Sequence, residues 1–171
     1  MIKENIQNAI NEQIVREMYS SNLYLSMAAY YASNNLNGFA KWMHIQAEEE
    51  MTHALKFFDY LIDRGGRPKI GQIAAPPVEW ESPLKAFEAA YQHEQLVTSW
   101  IYELVDLAIA EKDHATYNLL QWFVNEQVEE EANTSQIVDK LRLIGDNTQS
   151  LFWIDMELGN RTTTTENSEK E

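Results

Sequence analysis

A chain of 171 residues, 44% hydrophobic and 11% aromatic, has the length and apolar content for one domain with its own core and lies outside the composition of disordered chains. A net charge of −14, from 27 acidic against 13 basic residues, leaves no basic face to neutralise phosphates and excludes nucleic acid as the expected partner. The absence of cysteine removes disulfides, thiolate zinc sites, iron–sulfur clusters and thiol nucleophiles together.

At the N-terminus, Met1-Ile2-Lys3-Glu4-Asn5-Ile6 carries charge and amide where an export signal needs an apolar run. No stretch approaches the length of an apolar membrane span, so no membrane partner is expected and the location expected is the cytoplasm. Apolar positions at intervals of three and four predict a first helix over residues 5–34. The turn cluster Asn34-Asn35-Leu36-Asn37-Gly38 follows, and a second helix runs over 38–64 until Gly65-Gly66 ends it.

Residues 67–81 hold Pro68, Pro76 and Pro77 and lack helical periodicity. Ser82 then caps a third helix with Pro83 at its first position, running to about residue 111. A polar break at Lys112-Asp113-His114 leads into a fourth helix ending near Gly145, and 148–158 predicts a short fifth. The segment 160–171, with its run of four threonines, reads as a disordered polar tail beyond a domain at 1–159.

Short turns make the first two helices one antiparallel hairpin and the third and fourth another. A 27-residue helix is about 40 Å long, and eighteen extended residues between the hairpins reach up to roughly 60 Å. That connection can run the whole bundle length. The fold class expected is therefore all-α, a four-helix bundle with one long crossover and a short fifth helix, the connectivity for which ferritin-like bundles are known.

Each helix has one inward line, and each line turns polar at its middle. The lines run Ile10, Ile14, Glu17, Ser21, Tyr24; then Met43, Gln46, Glu50, His53, Phe57; then Ala90, Glu94, Val97; then Phe123, Gln127, Glu130, Thr134. Glu17 and His53 are each 18 residues from the turn near residue 35, and Glu94 and Glu130 are each 18 from the turn near residue 112. Antiparallel partners equidistant from their turn share a height, so Glu17, Glu50, His53, Glu94, Gln127 and Glu130 are expected in one layer. Unpaired carboxylates are costly to bury. Four of them balance two divalent cations, with Glu50 or Glu130 as the bridge. Oxygen ligation with one imidazole suits ferrous iron or manganese, whereas zinc would bind without redox chemistry.

Glu17, the run Glu48-Glu49-Glu50-Met51-Thr52-His53, then His93-Glu94-Gln95 and Asn125-Glu126-Gln127-Val128-Glu129-Glu130-Glu131 closely resemble a bacterial non-haem ferritin, over residues 4–157. The resemblance implies iron storage and ferroxidase activity. Two ferrous ions bind, dioxygen or hydrogen peroxide oxidises them, and ferric mineral is deposited inside a homo-oligomeric shell of 24 subunits. It implies Glu17, Glu50 and His53 around the first iron and Glu50, Glu94 and Glu130 around the second, with Gln127 beside the second iron. Glu49, Glu126 and Glu129 match a third, weaker iron site, and Tyr24 matches a near-site tyrosine that can donate an electron.

Gln127-x-x-Glu130 stands where haem-containing relatives and many di-iron oxidases carry a second Glu-x-x-His. The loss leaves a weaker, more oxygen-rich second site, suited to releasing iron. Haem is not expected, and Met51 reads as packing. Glu111-x-x-His114 repeats the spacing at the bundle end with no carboxylate line facing it, His93 reads as structural, and His44 as an outer-face residue. Two other functions compete: a non-storage di-iron peroxidase or oxidase, and a silent shell subunit that only nucleates mineral. The missing cysteines and second histidine weigh against the former, and the intact Glu17, Glu50, His53 and Glu94 set against the latter.

Overall fold

The computed structural model describes residues 2–162, and within them five helices form: α1 Glu4–Ser33, α2 Asn37–Asp63, α3 Pro83–Ala110, α4 His114–Ile144 and α5 Thr148–Leu158. No strand occurs among the described residues. The helix limits differ by no more than about one residue from those that the turn and cap signals predict.

Three of the helix starts use their own side chains. Ser82 Oγ accepts from Lys85 N at 3.1 Å, Asp113 Oδ1 from Thr116 N at 3.1 Å, and Asn147 Oδ1 from Ser150 N at 2.9 Å. Asp113 has a second task, because the Arg64 guanidinium reaches both of its oxygens, at 3.0 and 2.9 Å, and ties the end of α2 to the start of α4. The start of α2 differs. Leu36 offers no capping side chain, and Asp155 of α5 takes its place, accepting from Gly38 N at 2.8 Å and Phe39 N at 3.0 Å.

The crossover from Arg64 to Ser82 runs beside α1. Asn11 donates to the Arg67 carbonyl and accepts from Lys69 N, Ser26 donates to the Pro77 carbonyl, and Tyr31 donates to the Pro83 carbonyl at 2.7 Å. The chain is thereby delivered to the opposite end of the bundle. It starts α3 beside the end of α1, and Lys3 meets Glu111 at the other end. α1 and α3 are antiparallel, and so are the two hairpin pairs.

The core lies in two halves. One gathers Tyr24, Met27, Tyr31, Phe39, Met43 and Phe87 with Ile154 and Leu158 of α5. The other gathers Ile6, Ile10, Ile14, Phe57, Ile101 and Phe123. Between them lies the polar layer, with the Phe57 and Phe123 rings stacked 3.9 Å apart in the second half. Part of the segment 160–171, expected to be a disordered tail, is described. Arg161 is held against the bundle by Trp42 and Glu49, while 163–171 lie outside the described residues.

A Cβ at Gly38 would lie 1.6 Å from the Asp155 carbonyl oxygen. Gly38→Ala must therefore push α5 off the start of α2, at a cost of about 2 kcal/mol or more. A clear drop in the thermal unfolding midpoint, followed by circular dichroism, is expected; an unchanged midpoint would contradict the α2–α5 contact.

Candidate metal centre

Each of the four long helices, α1 to α4, brings one carboxylate to the layer, and the helical period aims it inward. Glu17 of α1, Glu50 of α2, Glu94 of α3 and Glu130 of α4 are all buried, as are His53 and Gln127. The sequence-predicted layer is assembled. Its tightest group is Glu17, Glu50 and His53, whose ligand atoms all lie within 4.8 Å of one another. Glu50 Oε2 and His53 Nδ1 are 3.5 Å apart, one helical turn from each other.

Hydrogen bonds orient these groups. Gln13 Nε2 donates to Glu17 Oε1 at 2.8 Å, and Gln46 Nε2 donates to both Glu50 Oε1 at 3.1 Å and Glu130 Oε2 at 2.8 Å. The Tyr24 hydroxyl donates to Glu94 Oε1. Gln127 Nε2 reaches Glu94 Oε2 at 3.2 Å, the Glu94 carbonyl at 3.3 Å and Thr98 Oγ1 at 3.3 Å. Gln127 thus positions Glu94. Among the described residues, two buried side-chain atoms have no hydrogen-bond partner: Glu17 Oε2 and Gln46 Oε1. A buried carboxylate oxygen without a donor, on a residue grouped this closely with Glu50 and His53, fits a cation, because leaving an acceptor unsatisfied is otherwise costly.

The electrostatics agree. Burial, reinforced by the Glu50 charge, pushes the Glu17 carboxyl up to about 8, and burial with the same neighbour does so for Glu94. The Glu50 and Glu130 carboxyls are both raised by burial and then by a neighbouring carboxylate, Glu130 for Glu50 and Glu94 for Glu130. Burial and the Glu94 charge hold the Tyr24 phenol well above its ordinary range. At neutral pH the metal-free layer holds protons where cations would otherwise balance its charge.

Glu49, Glu126 and Glu129 line a cleft of about 460 Å³ between α2 and α4, together with His53 and Glu130. His53 Nε2 and Glu126 Oε2 are 4.0 Å apart, and burial raises the Glu126 carboxyl. His53 and Glu130 therefore belong to both the layer and the cleft.

The other histidines take non-ligand places. His93 is buried, its Nε2 2.8 Å from Ser20 Oγ, and burial lowers its pKa to about 4. His44 is exposed beside Glu48. Glu111 is engaged by Lys3 and Asn5 while His114 is exposed, so the second Glu-x-x-His spacing does not converge.

Sequence reasoning placed Gln46 on the inward line without a role and passed over Gln13. A signal existed: each glutamine stands four residues before a glutamate of the layer, within reach along one helix face. Arg161 was missed because it lies beyond the helical pattern.

The family model for the ferritin-like domain matches residues 7–144. The bacterial non-heme ferritin of Bacteroides fragilis is 51% identical over 161 residues, 94% of this chain and 100% of the relative. That of Escherichia coli is 42% identical over 158 residues, 92% of this chain and 96% of the relative. A closed form of the Archaeoglobus fulgidus ferritin, engineered by site-directed mutagenesis, superposes with a TM-score of 0.95 at 53% identity, covering 96% of this chain and 100% of that one.

Carboxyls raised on folding hold protons that the unfolded chain has released. Their contribution to stability is therefore lost as pH rises from about 5 to about 8. The denaturant midpoint of the metal-free protein is expected to fall across that window, and to fall less in Glu17→Gln and Glu94→Gln. Cobalt(II) should restore the midpoint near the upper end and release protons into weakly buffered solution. Equal slopes in wild type and variants would count against proton storage in this layer.

Proposed function

The chain belongs to the ferritin family, and from that premise we propose that it stores iron, oxidising ferrous ions at the buried layer and depositing ferric mineral. The observation that carries the reading is the convergence of Glu17, Glu50 and His53 around an unpartnered buried carboxylate oxygen. Iron is the substrate. The first ferrous ion is held by Glu17, Glu50 and His53, and the second by Glu50, Glu94 and Glu130, with Glu50 shared. Four carboxylates neutralise two divalent ions once their protons have left.

Oxidation removes one electron from each ion. Dioxygen takes the two electrons with two protons to give hydrogen peroxide, or hydrogen peroxide takes them with two protons to give two waters. The pair then carries two more positive charges than four carboxylates supply. Hydroxide or oxide from water meets that surplus, and the added charge favours hydrolysis and departure toward the mineral. Glu130 stands where a second Glu-x-x-His would place an imidazole that binds iron more firmly, and Gln127, which fixes Glu94, stands in place of that motif's carboxylate. Glu49, Glu126 and Glu129 form the outer, third position on the way out, and Tyr24, donating to Glu94, is placed to give up an electron with its proton passing to that carboxylate.

The proposal extends to assembly and location. The chain folds as a single ferritin-like domain over residues 1–159, builds a shell of 24 copies and works in the cytoplasm. Among the described residues no helix is long and apolar enough to cross a membrane.

Aerobic ferrous oxidation by stopped flow, at two ions per chain and then at large excess, tests the reading. His53→Ala and Glu130→Ala are expected to slow the fast phase by more than about tenfold, the upper range for disturbing even an outer-shell partner being about a hundredfold. The wild type should keep ferric iron in solution at high load. Equal rates in all three proteins would sink the assignment, and oxidation that stops after one turnover with iron retained would indicate a resident di-iron cofactor.

A further inference from the structure

Arg161 brings a fixed positive charge into the carboxylate-lined cleft between α2 and α4. Its Nη2 meets Glu49 Oε2 at 2.5 Å, and its Nη1 donates to the Trp42 carbonyl at 3.2 Å. The guanidinium carbon lies 4.3 Å from the centre of the Trp42 ring. A planar guanidinium can use two edges and one face in this way at once, which a flexible ammonium cannot. Both partners of the ion pair are mostly covered, with side-chain exposures of 18% for Arg161 and 22% for Glu49. The pair is thus shielded better than an ordinary surface ion pair. Arg161 is the cleft-lining residue with permanent positive charge, among Glu48, Glu49, Glu126, Glu129 and Glu130.

The contact has a consequence for a metal at the outer position. With its Oε2 already accepting from the guanidinium, Glu49 has less negative charge to offer a ferrous ion, and two cations sharing one carboxylate repel. We propose that Arg161 occupies the outer cation position of this cleft and competes with ferrous iron for Glu49, so that the segment following α5 sets how tightly the third iron is held. The proposal rests on the outer-site reading above. An iron that must displace an internal cation is held loosely, which suits a position that passes iron on. Among the described residues the inner layer has no such competitor, because the donors to its carboxylates are the neutral amides of Gln13, Gln46 and Gln127 and the neutral phenol of Tyr24.

Anaerobic ferrous binding to the assembled protein, by equilibrium dialysis, tests this. The first two equivalents per chain serve as the internal reference for the third. In Arg161→Gln the third equivalent is expected to bind roughly three- to tenfold tighter relative to the first two, as fits removal of one partly shielded competing charge. Arg161→Lys, which keeps the charge but loses the second edge and the stacked face, should fall between wild type and Arg161→Gln. Glu49→Gln should weaken the third equivalent in either background. An unchanged ratio in Arg161→Gln would overturn the proposal, and so would an Arg161→Lys protein that binds as tightly as Arg161→Gln. Failure of the wild type to bind the first two equivalents would instead overturn the ferroxidase reading, which separates the two.

Discussion

Four glutamates buried at one height, with one imidazole and no lysine or arginine among the layer's hydrogen-bonding partners, are the constraint around which the rest of the molecule is arranged. An ionised carboxylate taken out of water without a partner costs several kcal/mol. Four together would rival the whole net stability of a domain, about 5–15 kcal/mol. The metal-free chain avoids that cost by protonation, as the raised Glu17 and Glu94 values indicate. It also surrounds the layer with amide donors and sandwiches it between two apolar halves that supply the folding energy. Stability and site thus pull in opposite directions at mid-height, and the bundle ends are where the fold is secured.

The ends show how. Arg64 with Asp113, Lys3 with Glu111, and Asp155 with the first amides of α2 all lie away from the layer, and each joins elements distant in sequence. The crossover contributes by fixing direction. Because it returns along α1, α3 starts beside the end of α1, and Glu94 arrives at the height of Glu17 and Glu50. A short loop in its place would have reversed α3 and altered which helices are antiparallel neighbours.

Most of this arrangement is written locally in the sequence. The inward lines follow from the helical period, and the shared height follows from equal distances to the two hairpin turns. Ser82 with Pro83, and Gly65 with Gly66, mark ends by the backbone angles and donors they supply. What escaped sequence reasoning involves partners far apart along the chain. Asp155 caps a helix more than a hundred residues earlier, so Leu36 and Gly38 carry no capping signal that a sequence pattern could detect. Arg161 follows the last predicted helix in a polar stretch whose composition suggested no contact at all. Tyr24 was placed near the site, but its hydrogen bond to Glu94 depends on how α1 and α3 are packed, which periodicity does not specify.

The layer is less symmetric than its four carboxylates suggest. On the α1–α2 side, a histidine and an unpartnered carboxylate oxygen converge, and glutamines bind only the far edges of Glu17 and Glu50. On the α3–α4 side, Glu94 is already engaged by Tyr24 and Gln127, and Glu130 by Gln46. A cation entering the first half meets ligands ready to accept it, whereas in the second half it must displace neutral donors. Glu130, of the half with the weaker prior claim on a cation, also lines the outer cleft, as does His53 of the first half. A gradient of this kind, from a ready position in the layer to a contested one, favours transit over retention. That is the physical distinction between a site that processes iron as substrate and one that keeps it as a cofactor.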